Sequence, residues 1–131
     1  MLEPVQDLDA LAQRLHRIAQ KVKERDVTDY VISQVRNSHA AAFKFSGIDL
    51  WMVVERIVAG DTFLNVWCLE GSGMSLKHVP EVVNLIDELA RLVGADYWKM
   101  ESPRKGWARV LKGYADPVRT VYERKVPNAY Q

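Results

Sequence analysis

The sequence predicts one α/β domain of the α+β class, in which two helices precede a mixed β-sheet. Three patterns predict it: apolar residues at helical spacing near the start, three consecutive strand-like segments, and a helix between two further strands. The predicted order is α-α-β-β-β-α-β-α-β. We expect helices within residues 1–40, the sheet and its helices within 41–125, and a tail over 126–131. A chain of 131 residues has the size of one domain.

Charge and composition exclude several classes of protein. The 18 basic and 17 acidic residues give a net charge of +1, whereas dedicated nucleic-acid binders carry a strongly basic face. No apolar run is long enough to cross a membrane, and the charged start does not resemble a signal peptide. Cys68 is the single cysteine, and the three histidines are scattered, so we expect neither a disulfide nor a metal site. The single cysteine fits a reducing cytosol.

The first predicted helix runs from about Gln6 to Arg25. Pro4 suits its first turn, and Asp7 and Asp9 favour a helix N-terminus through the macrodipole. A narrow apolar stripe follows the helix and has two interpretations: packing on the domain itself, or a seam for a partner protein. The stripe consists of Leu8, Leu11, Leu15, Ile18 and Val22.

A second helix is predicted over Thr28 to Ser38, with Asp26 as its cap. The pattern then changes to strands, because aromatic and β-branched residues alternate between turn signals. The three predicted antiparallel strands are Ala42–Phe45, Leu50–Val58 and Thr62–Leu69.

The third of these strands has two distinct faces. Leu64, Val66 and Cys68 share one face, and Phe63, Asn65 and Trp67 share the other. Cys68 is therefore predicted to be a small buried apolar residue rather than a catalytic thiol.

The strongest periodic signal predicts a helix from about Pro80 to Val93. Gly94 suits the left-handed residue that ends it, and Ala95 to Glu101 reads as a strand. Because the helix provides a long crossover, this strand should lie parallel to Thr62–Leu69. Ser102 and Pro103 then begin a helix that ends at Gly113, and Val118 to Lys125 is predicted as the last strand.

The element order and three segments resemble the GNAT acetyltransferase superfamily. The segments are the Gly71-Ser72-Gly73 turn, residues 94–101 (GADYWKME), and residues 104–114 (RKGWARVLKGY) followed by 121–124 (VYER). The last is similar to small phage-encoded GNAT-like proteins, including acetyltransferase-like internal virion proteins of short-tailed phages. The resemblance covers about Ala42 to Lys125. It implies a GNAT fold, with acetyl-CoA as cofactor if the chain is an enzyme.

The resemblance also assigns a phosphate-binding turn. In GNAT enzymes a Gln or Arg precedes Gly-x-Gly or Gly-x-Ala, whose backbone N–H groups hold the pyrophosphate of acetyl-CoA. Gly71, Ser72 and Gly73 fit the turn, but Cys68 stands where the Gln or Arg should be. The helical pattern resumes only near Pro80, so the helix is expected to begin too late to point at a phosphate. A plain strand-ending turn is the alternative interpretation.

The positions that the resemblance assigns to acid–base catalysis mostly lack residues that can perform it. Arg109 occupies the place of the tyrosine that protonates the departing thiolate, and arginine is a poor acid at neutral pH. A general base would come from Glu70, Glu101 or His78. Glu101, at a strand end, is the best of these, although a solvated carboxylate is the alternative.

Basic residues cluster in sequence with Trp98 and Trp107. The cluster predicts either a contact with an anion or nucleic acid or a plain solvated helix face, and the near-zero net charge favours the second. Its basic residues are Lys99, Arg104, Lys105, Arg109 and Lys112.

These patterns together favour a GNAT-fold protein that does not transfer acetyl groups. The expected role is a structural or protein-interaction component, associated with other protein subunits. The resemblance implies that these are subunits of a phage virion, and that the protein is located in the cytoplasm of a bacterial host or in a virion. The alternative is an acetyl-CoA-dependent N-acetyltransferase with a degenerate phosphate loop. Under the first hypothesis no cofactor is needed, and acetyl-CoA should bind no more tightly than about millimolar.

Overall fold

A mixed five-stranded sheet forms the centre of the computed structural model, which describes residues 1–22, 27–70, 76–101, 112, 113 and 127. The strands lie in chain order, with antiparallel pairs from the first to the fourth and a parallel pair between the fourth and the fifth. The strands are β1 (Leu2–Pro4), β2 (Ala41–Phe45), β3 (Leu50–Ala59), β4 (Asp61–Glu70) and β5 (Tyr97–Glu101). The helices are α1 (Leu8–Val22), α2 (Thr28–Arg36) and α3 (Val79–Leu92), the last preceded by a 3₁₀ turn at Leu76–His78.

Helix α3 covers one face of the sheet. Met52 of β3, Val66 of β4 and Ile86 of α3 are all fully buried in this layer. The same layer takes in Phe45, Leu50, Val54, Leu64, Val82 and Ala90. The predicted face of the third strand is thereby confirmed for Leu64 and Val66, while the side chain of Cys68 lies outside the described part of the structure.

Helices α1 and α2 cover the opposite face. Leu11 and Leu15 from α1 meet Val31 from α2 over Ala42 and Val53 of the sheet. Leu11 is 0% exposed and Leu15 7% exposed. The sheet is therefore enclosed between helices on both faces, which fits the continuous apolar run Leu50–Val54 of β3.

The parallel crossover that the sequence predicts is confirmed. Phe63 to Trp67 of β4 pair in register with Tyr97 to Glu101 of β5, and α3 connects the two strands. Gly94 ends the crossover helix with φ of +73°, which a glycine adopts without steric cost. The N–H of Ala95 donates to the carbonyl of Ala90 at 2.8 Å, which closes the helix end.

The chain start differs from the prediction. Residues Leu2–Pro4 form an edge strand paired with β2, so Pro4 belongs to a strand and not to the first turn of α1. Proline is tolerated there because an edge strand leaves one row of backbone groups unpaired. The predictions from Ser102 onward lie outside the described residues except for Lys112, Gly113 and Pro127. Lys112 and Gly113 form a turn in which Gly113 has φ of +89°. Asp26, the predicted cap of α2, also lies outside them.

Helix α1 begins where Asp7 caps it. The Oδ1 atom of Asp7 accepts a hydrogen bond of 3.0 Å from the N–H of Ala10, which would otherwise have no partner within the helix. Asp7→Ala should lower the free energy of unfolding by about 1 kcal/mol. Asp7→Asn, which keeps the accepting oxygen, should lower the free energy of unfolding by only a small part of this amount. Urea denaturation of the two variants checks this, and equal losses would show that the accepting oxygen is not the source of the stabilisation.

Candidate functional site

The carboxyl ends of β4 and β5 meet at one end of the sheet. The described pairing between them extends to Trp67 and Glu101, and β4 continues to Glu70 along β3. His78 lies directly before α3, which starts from this same end because it follows β4. The fold therefore brings the backbone positions of all three predicted general-base candidates, Glu70, Glu101 and His78, to one end of the sheet. Ligands commonly bind at this end of parallel strands.

The start of α3 is poorly suited to an anion. A 3₁₀ turn precedes the helix, Pro80 lies in its first turn, and the side chain of the N-cap residue, His78, makes no capping hydrogen bond to it. Proline removes one of the free N–H groups on which helix-end phosphate sites depend, and the first-turn carboxylate of Glu81 adds negative charge. The prediction of a late helix start is confirmed, since α3 begins at Val79. Gly71, Ser72 and Gly73 themselves lie outside the described residues.

Trp98 and Lys99 belong to opposite faces of the sheet. Trp98 packs against the α3 layer, and its Nε1–H donates to Oδ1 of Asp87 at 2.7 Å. On the other face, the Nζ atom of Lys99 lies 4.6 Å from the centre of the Phe63 ring, which stacks on Tyr97. Trp98 is therefore part of the domain's own packing and not a stacking surface shared with Lys99. Trp107, Arg104, Lys105 and Arg109 lie outside the described residues.

The apolar stripe of α1 packs mainly on the domain itself. Leu11 and Leu15 are buried against the sheet, and Leu8 and Ile18 are partly buried beside them. Of the two interpretations of the stripe, packing on the domain itself applies to Leu11 and Leu15, because these side chains are not accessible to a partner in this fold. The side chain of Val22 lies outside the described part of the chain.

A small pocket of about 20 Å³ lies between α2 and the middle of β3 and β4 and opens to solvent. This volume is enough for about one water molecule. Its polar lining includes Glu55 from β3, Asn65 and Trp67 from β4, and Gln34 from α2. Glu55 pairs with Asn65, and Val53 pairs with Trp67, so Glu55 and Trp67 are diagonal neighbours on one face. Diagonal neighbours lie about 7–8 Å apart, which is within reach of long and aromatic side chains.

One polar atom of the pocket is buried without a partner. The Nε1–H of Trp67 has no hydrogen-bond acceptor within the described ranges of the chain. The nearby carboxylate of Glu55 accepts one long hydrogen bond, 3.4 Å from Nε2 of Gln34. Buried donors normally have partners, so this N–H is an exception within the described ranges. Because the atom has almost no accessible surface, a group in the pocket does not reach it without a shift of the surrounding side chains.

Sequence reasoning missed the pocket, although it placed two of its residues correctly. The alternation of β4 assigns Asn65 and Trp67 to one face, as observed. Gln34 and Glu55 join them only through the pairing of strands and the docking of α2. The unusual run of polar and aromatic side chains along the inner face of β4 was the available signal.

The described residues contain neither a cluster of metal ligands nor a membrane-spanning helix. No three His, Cys, Asp or Glu residues in these ranges lie close enough to hold a metal ion. No described helix is long and apolar enough to cross a membrane.

Comparison with solved structures identifies the fold. No protein-family model and no curated protein matches the sequence. The chain is similar in structure to a GCN5-related N-acetyltransferase from Ralstonia eutropha JMP134, with a TM-score of 0.69, 7% identity, and 95% of this chain and 97% of that one covered. It is also similar to a ribosomal-protein-alanine N-acetyltransferase from Brucella melitensis biovar Abortus 2308, with a TM-score of 0.66, 15% identity, and coverage of 96% and 99%.

A third similar structure contains acetyl-CoA. It is a predicted acetyltransferase with acetyl-CoA from Clostridium acetobutylicum, with a TM-score of 0.63, 11% identity, and coverage of 95% and 96%. All three likenesses extend over nearly the whole of both chains. At these identities they show the fold alone: the protein has the mixed α+β fold of GNAT acetyltransferases.

Proposed function

We propose that this GNAT-fold protein works by binding other protein subunits, such as those of a phage virion, and does not transfer acetyl groups. The observation that supports the lack of acetyl transfer is the start of α3, which begins at Val79 and has Pro80 and Glu81 in its first turn. The class of partner comes from the similarity of residues 104–114 to phage virion proteins.

The energetics of phosphate binding explain why the start of α3 matters. A pyrophosphate at a helix N-terminus is stabilised by hydrogen bonds from several free N–H groups and by the positive end of the helix dipole. Here Pro80 removes one donor, and Glu81 at the first turn offsets part of the dipole's attraction. Cys68 replaces the Gln or Arg that the resemblance leads one to expect. The binding energy that holds acetyl-CoA should therefore be much reduced.

The second candidate function is an acetyl-CoA-dependent N-acetyltransferase. The observation that favours it is the parallel β4–β5 pair, within a fold that matches acetyltransferases over almost its full length. In this case the turn at residues 71–73 would hold the pyrophosphate, and Glu101 would be the general base. These assignments follow the resemblance.

An acetyl-transfer assay separates the two candidates. With acetyl-CoA and peptides that carry a free amino terminus or lysine, we expect the rate of thiol release to equal that of the protein-free control. Turnover that disappears in Glu101→Gln and persists in Glu88→Gln would instead establish the enzyme. Glu88 is a suitable control because it is an exposed carboxylate on α3.

A further inference from the structure

We infer that a second copy of this chain binds the Lys99 face of the sheet through the exposed side of its α3, so that copies join head to tail. The acceptor patch consists of Phe63, Tyr97 and Lys99, and the donor patch consists of Glu88 and Leu92. The inference rests on the proposed binding of protein subunits and identifies a copy of the chain as one such subunit.

The acceptor patch presents a fixed cation beside aromatic surface. The Nζ atom of Lys99 lies 4.6 Å from the centre of the Phe63 ring and 5.8 Å from that of Tyr97. The two rings stack with their centres 5.4 Å apart, and Tyr97 is 39% exposed. Within the described ranges no carboxylate pairs with Lys99, so a carboxylate of another molecule can bind this ammonium group without displacing one.

The donor patch presents a carboxylate beside an apolar side chain. Leu92, the last residue of α3, is 82% exposed, and the exposed Glu88 lies one turn earlier. Residues four apart on a helix are neighbours on its surface, so the two side chains form one patch. Glu88 has no ion pair in the part of the chain that the structure describes. Contact with an aromatic surface would remove the apolar area of Leu92 from water.

The two patches match in spacing. The Cβ atoms of residues four apart on a helix are about 5–6 Å apart. Residues two apart on a strand, such as Tyr97 and Lys99, are separated by about 6.6 Å. The carboxylate of Glu88 can therefore pair with Lys99 while Leu92 lies over the ring of Tyr97.

The patches lie on opposite faces of the sheet, because α3 covers one face and the side chain of Lys99 lies on the other. A contact between two different patches leaves one of each free on every pair of copies. Addition of copies therefore continues into rings or filaments and does not stop at a dimer. One helix turn on two rings is a small contact, so the association should be weak and should depend on concentration.

Sedimentation velocity of the intact protein, from micromolar to millimolar concentration, tests the inference. We expect the average mass to rise steadily with concentration. Lys99→Glu and Glu88→Lys should each weaken the association by about tenfold or more, because like charges then face each other. An equimolar mixture of the two variants should associate again, since each variant supplies the charge that the other's patch has lost.

Two further variants separate the contributions of charge and apolar contact. Lys77→Glu makes the same change of charge at an exposed position outside both patches and should keep the association. Leu92→Ser changes no charge and should weaken it, and circular dichroism at micromolar concentration checks that every variant is folded.

Three results would overturn the inference: an unchanged protein that stays monomeric at millimolar concentration, an association that stops at a dimer, or a mixture of the two charge variants that stays monomeric. None of these results bears on acetyl transfer, which the binding of acetyl-CoA tests separately.

Discussion

Replacing Leu11 by aspartate should leave the protein without a cooperative unfolding transition. Leu11 is 0% exposed and packs between α2 and the sheet. Loss of the leucine removes about 3–5 kcal/mol of packing and transfer energy, and burial of a carboxylate costs more. Since domains have a total stability of about 5–15 kcal/mol, the variant should be largely unfolded. Circular dichroism during heating gives the readout.

A matched control separates burial from helix propensity. Gln13 lies on the same helix but is exposed, so Gln13→Asp should melt within a few degrees of the unchanged protein. The double change Leu11→Asp and Leu15→Asp extends the test to the proposed partner seam. A folded double variant that merely stopped associating, as judged by light scattering, would contradict internal packing and assign the stripe to an interface.

Truncation of Ile86 should produce the second-largest loss of stability. Ile86 is 0% exposed at the centre of α3 and contacts the layer formed by β3 and β4. Ile86→Ala leaves a cavity on this face, and we expect a loss of about 2–5 kcal/mol. This corresponds to a fall in melting temperature of about 8–20 °C in calorimetry.

The exposed side of the same helix provides the comparison. Glu88 lies two residues further along α3 and faces solvent, so Glu88→Ala should change the melting temperature only slightly. Equal effects at the two positions would show that α3 does not pack as described. The parallel crossover would then lose its main physical support.

Much of the fold follows from the sequence because its elements carry strong periodic patterns. The α3 repeat, ended by Gly94, and the alternation of β3 and β4 predicted these elements to within one or two residues. Strand β1 was missed because three residues show no periodicity, and because Pro4 is equally suited to a helix start. Its pairing with β2 depends on a contact between segments distant in sequence, which local patterns do not reveal.

The site was less predictable than the fold. Spacing along the chain grouped Trp98 with Lys99, but neighbouring residues of a strand point to opposite faces, and the two side chains separate. The converse holds for Glu55 and Trp67, which lie on different strands and become diagonal neighbours through strand pairing. A pocket formed by three elements therefore needs the tertiary structure, even when each element is correctly predicted.

Titration calorimetry with acetyl-CoA is the most direct test of the claim that this GNAT-fold protein works without acetyl-CoA. The late start of α3, Pro80 and Glu81 predict a dissociation constant no tighter than about millimolar, equivalent to about 4 kcal/mol. The contradicting result is micromolar binding that Gly73→Trp abolishes. That outcome would assign the cofactor to the predicted turn and establish the protein as an acetyltransferase candidate.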